Sequence, residues 1–255
     1  MRSALTLARF VMVEGVRSGL PVLAICALGI GVGLAGFLSH LALTESTTLQ
    51  IGILAAFFRI TTVSLLAAFV ITSMVRESND KGMELLLSLP ISRTSYYLGK
   101  LVGFVACGGL LAVVFSLAML FWSTPVAVGV WFVSLTLELS LVAVVSLFFV
   151  ITMANVVPAL AAVAGCYFLG RVIASIQSIG GSPLAVEPGA LQQLAVNGID
   201  LVALFLPPLE KVTQTAWLMY SVPPIGELLQ LAGLLIVYGA LVLAAGLFDF
   251  HRRNL

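Results

Sequence analysis

The sequence predicts an all-α integral membrane protein with six transmembrane helices, and three observations carry that reading. The 255 residues are 61% hydrophobic and only 9% charged, against about 45–50% and about 25% in soluble domains. So few charges cannot clothe a water-soluble fold of this size, which excludes the soluble enzyme classes. Six uninterrupted apolar runs, at about 20–43, 51–75, 101–122, 126–153, 156–176 and 225–248, approach the roughly 20 residues that a helix needs to cross the hydrocarbon. Their continuity excludes barrel strands, which alternate in polarity over about 10 residues. Residues 1–255 therefore read as a single transmembrane domain.

The elements follow in chain order. Residues 1–19 differ in character from the first span: on a helical projection Arg2, Thr6, Arg9 and Arg17 share one side, with Leu5, Ala8, Met12 and Val16 beside them. That pattern predicts an interfacial helix. The apolar stretch from Leu5 to Val13 is broken by Arg9 and followed by Glu14, so it does not resemble a cleaved signal. In span one, Gly29 and Gly33 form a GxxxG pair, which predicts close helix packing within the subunit or between two subunits. The string GVGLAG at Gly31 to Gly36 copies a dinucleotide fingerprint, but it lies inside a span with no strand before it, so no nucleotide site is expected there.

Residues 76–98, between spans two and three, form a cytoplasmic loop with the densest charge in the chain. Asp80 is a suitable N-cap, Met83 to Leu89 make about two helical turns, and Pro90 ends them. Such a helix offers Met83, Leu86 and Leu87 beside Lys81 and Glu84, a face that fits a groove on a partner. Residues 178–224 form the one sizeable external segment. Pro207-Pro208 and Glu210-Lys211 argue against a seventh crossing, and a short amphipathic helix from about Leu209 to Tyr220 is expected, with Trp217 and Tyr220 at the interface.

Direction follows from the cations. Arg2, Arg9 and Arg17, then Arg76, Lys81, Arg93 and Lys100, then Arg252 and Arg253 all fall on one side of a six-span chain, nine of the twelve basic residues. Basic residues in short loops stay cytoplasmic, so both termini are expected there. Three ionisable residues, Arg59, Glu138 and Arg171, fall inside spans, where an isolated charge costs about 2.5–3.5 kcal/mol or more. They read either as a buried ion pair or triad that sets helix register or as the polar lining of a translocation path. With histidine only at 40 and 251 there is no HExxH or other metal-binding spacing. Neither a metal nor a nucleic-acid partner is expected.

The loop from Arg76 to Lys100 resembles the cytoplasmic loop of ATP-binding-cassette type-2 (ABC-2 type) permeases: an acidic entry, a helix ending in Leu-Leu-x-x-Pro-[Ile/Val]-Ser-Arg, and a later Gly-Lys. Glu77, Leu86, Leu87, Pro90, Ile91, Ser92, Arg93, Gly99 and Lys100 match, whereas Lys81-Gly82 stand where the family usually has Gly-Thr. The resemblance implies a permease subunit of an exporter in the bacterial inner membrane, paired with a second, identical or related permease. It implies that Glu77 to Arg93 dock on separate ATPase subunits, which carry the ATP and magnesium, leaving this chain with no cofactor and no catalysis. Permeases of the nitrous-oxide-reductase maturation group share the loop pattern, which keeps a maturation or scaffold role in view. From another class, an ion-coupled secondary transporter would use Arg59, Glu138 and Arg171.

Overall fold

The computed structural model describes residues 2–41, 46–80, 92–180, 197–203, 206–220 and 222–252. Among these there is no strand. The helices include α1 (Arg2–Arg17), α2 (Leu20–Leu41), α3 (Ser46–Asn79), α4 (Arg93–Met119), α5 (Pro125–Met153), α6 (Val156–Gly180), α7 (Ala216–Met219) and α8 (Ile225–Arg252), with a 3-10 turn at Leu209–Lys211 and a further helical stretch at 197–203. Helices α2 to α6 and α8 are the six that are long and apolar enough to cross a membrane. The fold class and the span count thus agree with the sequence.

One boundary moves: α4 starts at Arg93 rather than near Leu101. Ser92 is its N-cap, with an extended backbone and a hydroxyl that accepts the Ser95 N–H at 3.2 Å. The added two turns bury Tyr96, Tyr97, Gly99 and Lys100, so tertiary packing sustains helix where hydropathy alone had stopped.

Helix α5 is the axis of the bundle, packed against α3, α4, α6 and α8. It buries residues around its whole circumference, from Trp131 and Leu135 through the run Leu141 to Leu147, as a helix with no polar face must. The core continues into α3 through Leu54, Phe58, Leu66 and Val70 and into α4 through Phe104, Leu111 and Phe115. By contrast α2 and α8 have few buried residues, and Ile30, Phe37, Ile236 and Val237 are exposed.

Helix α1 is a separate helix that ends at a break around Ser18-Gly19. It lies along α4, burying Leu7, Ala8 and Val11. Of the expected apolar side Ala8 lies in this contact, while Leu5 and Val16 stay on the surface. The reason is on α4. A Cβ on Gly99 would lie 2.9 Å from the Ala4 carbonyl oxygen, and one on Gly103 would lie 2.6 Å from Val11 Cβ. The two glycines admit the α1 backbone only along Ala4, Ala8 and Val11.

Gly29 and Gly33 differ from these two: among the described residues a Cβ on either meets nothing within 4 Å. Gly31 is the packed glycine of α2, set directly against the Phe58 ring.

Overpacking a filled contact costs about 1–3 kcal/mol. Gly103→Val is expected to destabilise the purified chain by that amount in thermal unfolding and to expose α1 to protease. Gly33→Val is expected to leave the unfolding midpoint of the isolated chain unchanged.

Candidate functional site

The three intramembrane charges converge on one short stretch of non-helical backbone. After Pro207-Pro208 the chain makes the 3-10 turn Leu209–Lys211, Val212 is extended, and Thr213 has φ +53°. A β-branched residue in the left-handed region is an outlier, at a cost of order 1–3 kcal/mol that persists only where the surroundings over-determine it.

Every polar group of Thr213 is held. Its N–H donates to Ser134 Oγ at 2.7 Å, and its hydroxyl donates to Glu138 Oε2. Its carbonyl accepts from Arg59 Nη1 at 2.6 Å and from Arg171 Nη2 at 3.3 Å. Helices α3, α5 and α6 therefore each contribute a side chain to one residue. Thr213 itself is 0% exposed.

Arg171 also donates to the carbonyls of Leu209 and, at 2.9 Å, Val212. These are carbonyls at the end of the short turn, where the backbone dipole is negative. Arg171 Nη1 lies 3.5 Å from Glu138 Oε1, which also accepts the Tyr167 hydroxyl at 2.8 Å. Glu138 is fully buried near the middle of α5, about 20 Å from its start at 1.5 Å per residue. Two guanidiniums face one carboxylate, and the three backbone carbonyls compensate the excess positive charge.

Arg59, Glu138 and Arg171 are thus brought to one place but not as a simple triad. Glu138 pairs with Arg171, whereas Arg59 joins through the Thr213 carbonyl. This geometry replaces the expected continuous amphipathic helix from Leu209 to Tyr220: only the turn Leu209–Lys211 and the four-residue α7 are helical. The arginine donors take carbonyls that a continuing helix would have used. Trp217 is buried and Tyr220 is exposed, so the two do not act as a matched pair of interface anchors.

A second polar cluster lies at the end of the bundle that carries the basic residues. Glu77 near the end of α3 pairs with Lys100 on α4 and accepts the Tyr96 hydroxyl at 2.9 Å. Lys100 is 0% exposed and lies over the Phe10 ring of α1 at 5.7 Å. Glu14 of α1 accepts the Ser73 hydroxyl of α3 at 2.8 Å. Phe250 of α8 stacks on Tyr96, with ring centroids 5.8 Å apart, and Arg93 donates to the carbonyls of Phe250 and His251 at 3.4 and 3.3 Å. Four helices are thereby joined around Glu77 and Lys100.

Of the residues assigned to docking, Glu77 and Arg93 are engaged within the chain and frame the loop from its two ends. Asp80 follows the last turn of α3, its N–H donating to the Arg76 carbonyl at 2.9 Å. Lys81, Met83, Glu84, Leu86, Leu87 and Pro90 lie outside the described residues. The sequence reading of the sites missed Ser134, Tyr167 and Thr213, and it used Lys100 as a topological marker and as part of the Gly-Lys match, not as a buried ion-pair partner. Ser134 lies one turn before Glu138 on α5, and Tyr167 one turn before Arg171 on α6, so spacing of i and i+4 from each charge was the usable signal. Nothing local marks Thr213.

Comparison with known proteins adds one match. Residues 67–255 match the family described as ABC-2 family transporter protein. No curated protein matches the chain.

Removing one partner of a buried ion pair costs about 3–5 kcal/mol. Arg171→Met is accordingly expected to lower unfolding stability by that amount and to open residues 206–220 to labelling by a water-soluble maleimide at an introduced cysteine. Glu138→Gln keeps one acceptor oxygen and puts an NH2 donor in place of the other, so one of the Tyr167 and Thr213 hydroxyls must accept instead of donate, and the variant is expected to cost less, about 1–3 kcal/mol. If Glu138→Gln folds with unchanged stability yet abolishes transport, the cluster is a path lining rather than a clamp.

Proposed function

The chain belongs to the ABC-2 transporter family, and on that premise we propose that it is the permease subunit of an exporter, driven by separate ATPase subunits bound at its basic end. The family makes it a multi-pass integral membrane protein and a transport subunit. The observation that carries the coupling part of the proposal is the convergence of four helices on Glu77 and Lys100, immediately beside the loop whose sequence resembles an ATPase docking helix.

The proposed path of force is short. Closure of the ATPases on ATP pushes the loop 81–91. Its flanks, the end of α3 and the start of α4, are tied by the Glu77–Lys100 pair and by Tyr96, so they move as one body. Contacts of Gly99 and Gly103 carry that movement to α1, and Phe250 with Arg93 carries it to α8. The outcome is a population shift between inward-open and outward-open states. In this orientation both termini are cytoplasmic and the membrane is the inner one.

Six helices seldom enclose a path, so a second permease, identical or related, completes it. The open surface at Gly29 and Gly33 on α2 is compatible with such a neighbour. Maturation permeases of the nitrous-oxide-reductase type are a second reading within the same family, favoured by the loop pattern from Glu77 to Lys100. An ion-coupled transporter built on Arg59, Glu138 and Arg171 has less support, because both carboxylate oxygens of Glu138 are already bonded by the chain's own groups.

The test is co-expression and co-purification with a candidate ATP-binding-cassette ATPase subunit. Leu86→Asp is expected to reduce the ATPase recovered at least tenfold. Lys100→Met is expected to leave recovery intact while lowering transport-coupled ATP hydrolysis several-fold. Full recovery and full coupling in both variants would remove the docking assignment, and transport that persists without ATP would remove the family mechanism.

A further inference from the structure

We propose that the groove between the α1–α2 elbow and α4 is a binding site for an anionic phospholipid of the cytoplasmic leaflet, with an acyl chain in the groove and the phosphate on Arg17 and Arg9. The groove has a volume of about 250 Å³ and is walled almost wholly by carbon, with Met12 and Val16 from α1, Pro21 and Ala24 from α2, and Leu110 and Val114 from α4. Such walls discriminate no polar ligand. They accept a hydrocarbon chain.

Depth places the groove in one leaflet. Helix α2 has 22 residues and so spans about 33 Å, close to the hydrocarbon thickness, which sets Leu20 at its boundary. Helices α3, α4 and α5 are longer, at 34, 27 and 29 residues. Part of their excess lies at the basic end, where α1 packs on α4. The α2 residues of the groove, Leu20 to Ile25, then occupy roughly the first 8 Å of hydrocarbon, and Arg17 stands just outside it.

Charge selects the headgroup. Arg17 lies in the elbow between two lining residues, Val16 and Leu20, and Arg9 lies one turn before Met12 on the same helix face; both are exposed. The ion pairs among the described residues are Lys100–Glu77 and Arg171–Glu138, so neither Arg9 nor Arg17 is paired with a carboxylate there. The one acid of α1, Glu14, is bonded to Ser73 of α3. Long arginine stems lie along apolar surface while their heads reach the phosphate layer, and each guanidinium near an anionic surface favours binding about fivefold.

Native mass spectrometry of the full chain with added phosphatidylglycerol or phosphatidylcholine tests the site, and it needs neither an ATPase nor transport. The expected result is preferential retention of phosphatidylglycerol by the wild type. Arg9→Gln/Arg17→Gln is expected to lose about twenty-fivefold in phosphatidylglycerol binding and distinctly less in phosphatidylcholine binding, because the choline cation offsets that lipid's phosphate. Leu110→Trp, at the exposed lip of the groove, is expected to reduce both lipids with the unfolding midpoint preserved. Unchanged phosphatidylglycerol binding in the arginine variant, or unchanged binding of both lipids in Leu110→Trp, would overturn the proposal.

Discussion

The structure depends on one constraint: a stretch of non-helical backbone lies among membrane-length helices, and its polar groups must be satisfied by protein. An unsatisfied peptide group in hydrocarbon costs several kcal/mol. Thr213 meets that constraint through Ser134, Glu138, Arg59 and Arg171 at once. The charges are costly in isolation and the backbone is costly in isolation. Together each supplies the partner that the other lacks, which is why a left-handed threonine and three ionisable residues coexist in the same place.

The same logic appears at the basic end with a different result. Lys100 is fully buried, yet its ammonium pairs with Glu77 and lies over the Phe10 ring, and Tyr96, stacked on Phe250, donates to the same Glu77. Buried pairs add little net stability compared with apolar packing, but their geometry is demanding. A pair of this kind ties the end of α3 and the start of α4 in one register. The loop proposed to meet the ATPase springs from those two helix ends, so its two anchor points are held in register with each other.

Much of this was legible in the sequence. Continuous apolar runs located six helices because no other structure satisfies backbone groups in lipid, and of the basic residues expected on one side Arg93 meets the end of α8 and Lys100 meets the end of α3. The ends were less legible: α4 continues from Leu101 back to Arg93 because tertiary burial of two tyrosines and Lys100 supports helix that hydropathy does not signal. The face of α1 that packs on α4 was not legible. Amphipathic projection ranks side chains by polarity, whereas the docked face was chosen by the absence of side chains at Gly99 and Gly103 on a different helix.

By itself the sequence determined the membrane class, the six spans, the concentration of charge in one loop and the presence of three intramembrane ions, since each depends on composition and period along one dimension. Only the tertiary structure decided which ions meet. Arg59, Glu138 and Arg171 come from three helices separated by tens of residues, and they meet through a threonine that no pattern marks. It also decided that Gly31 rather than Gly29 or Gly33 is the glycine packed inside the chain, and that Glu77 and Arg93 face inward. These are outcomes of helix rotation and register, and those two variables are set by what the neighbouring helices offer.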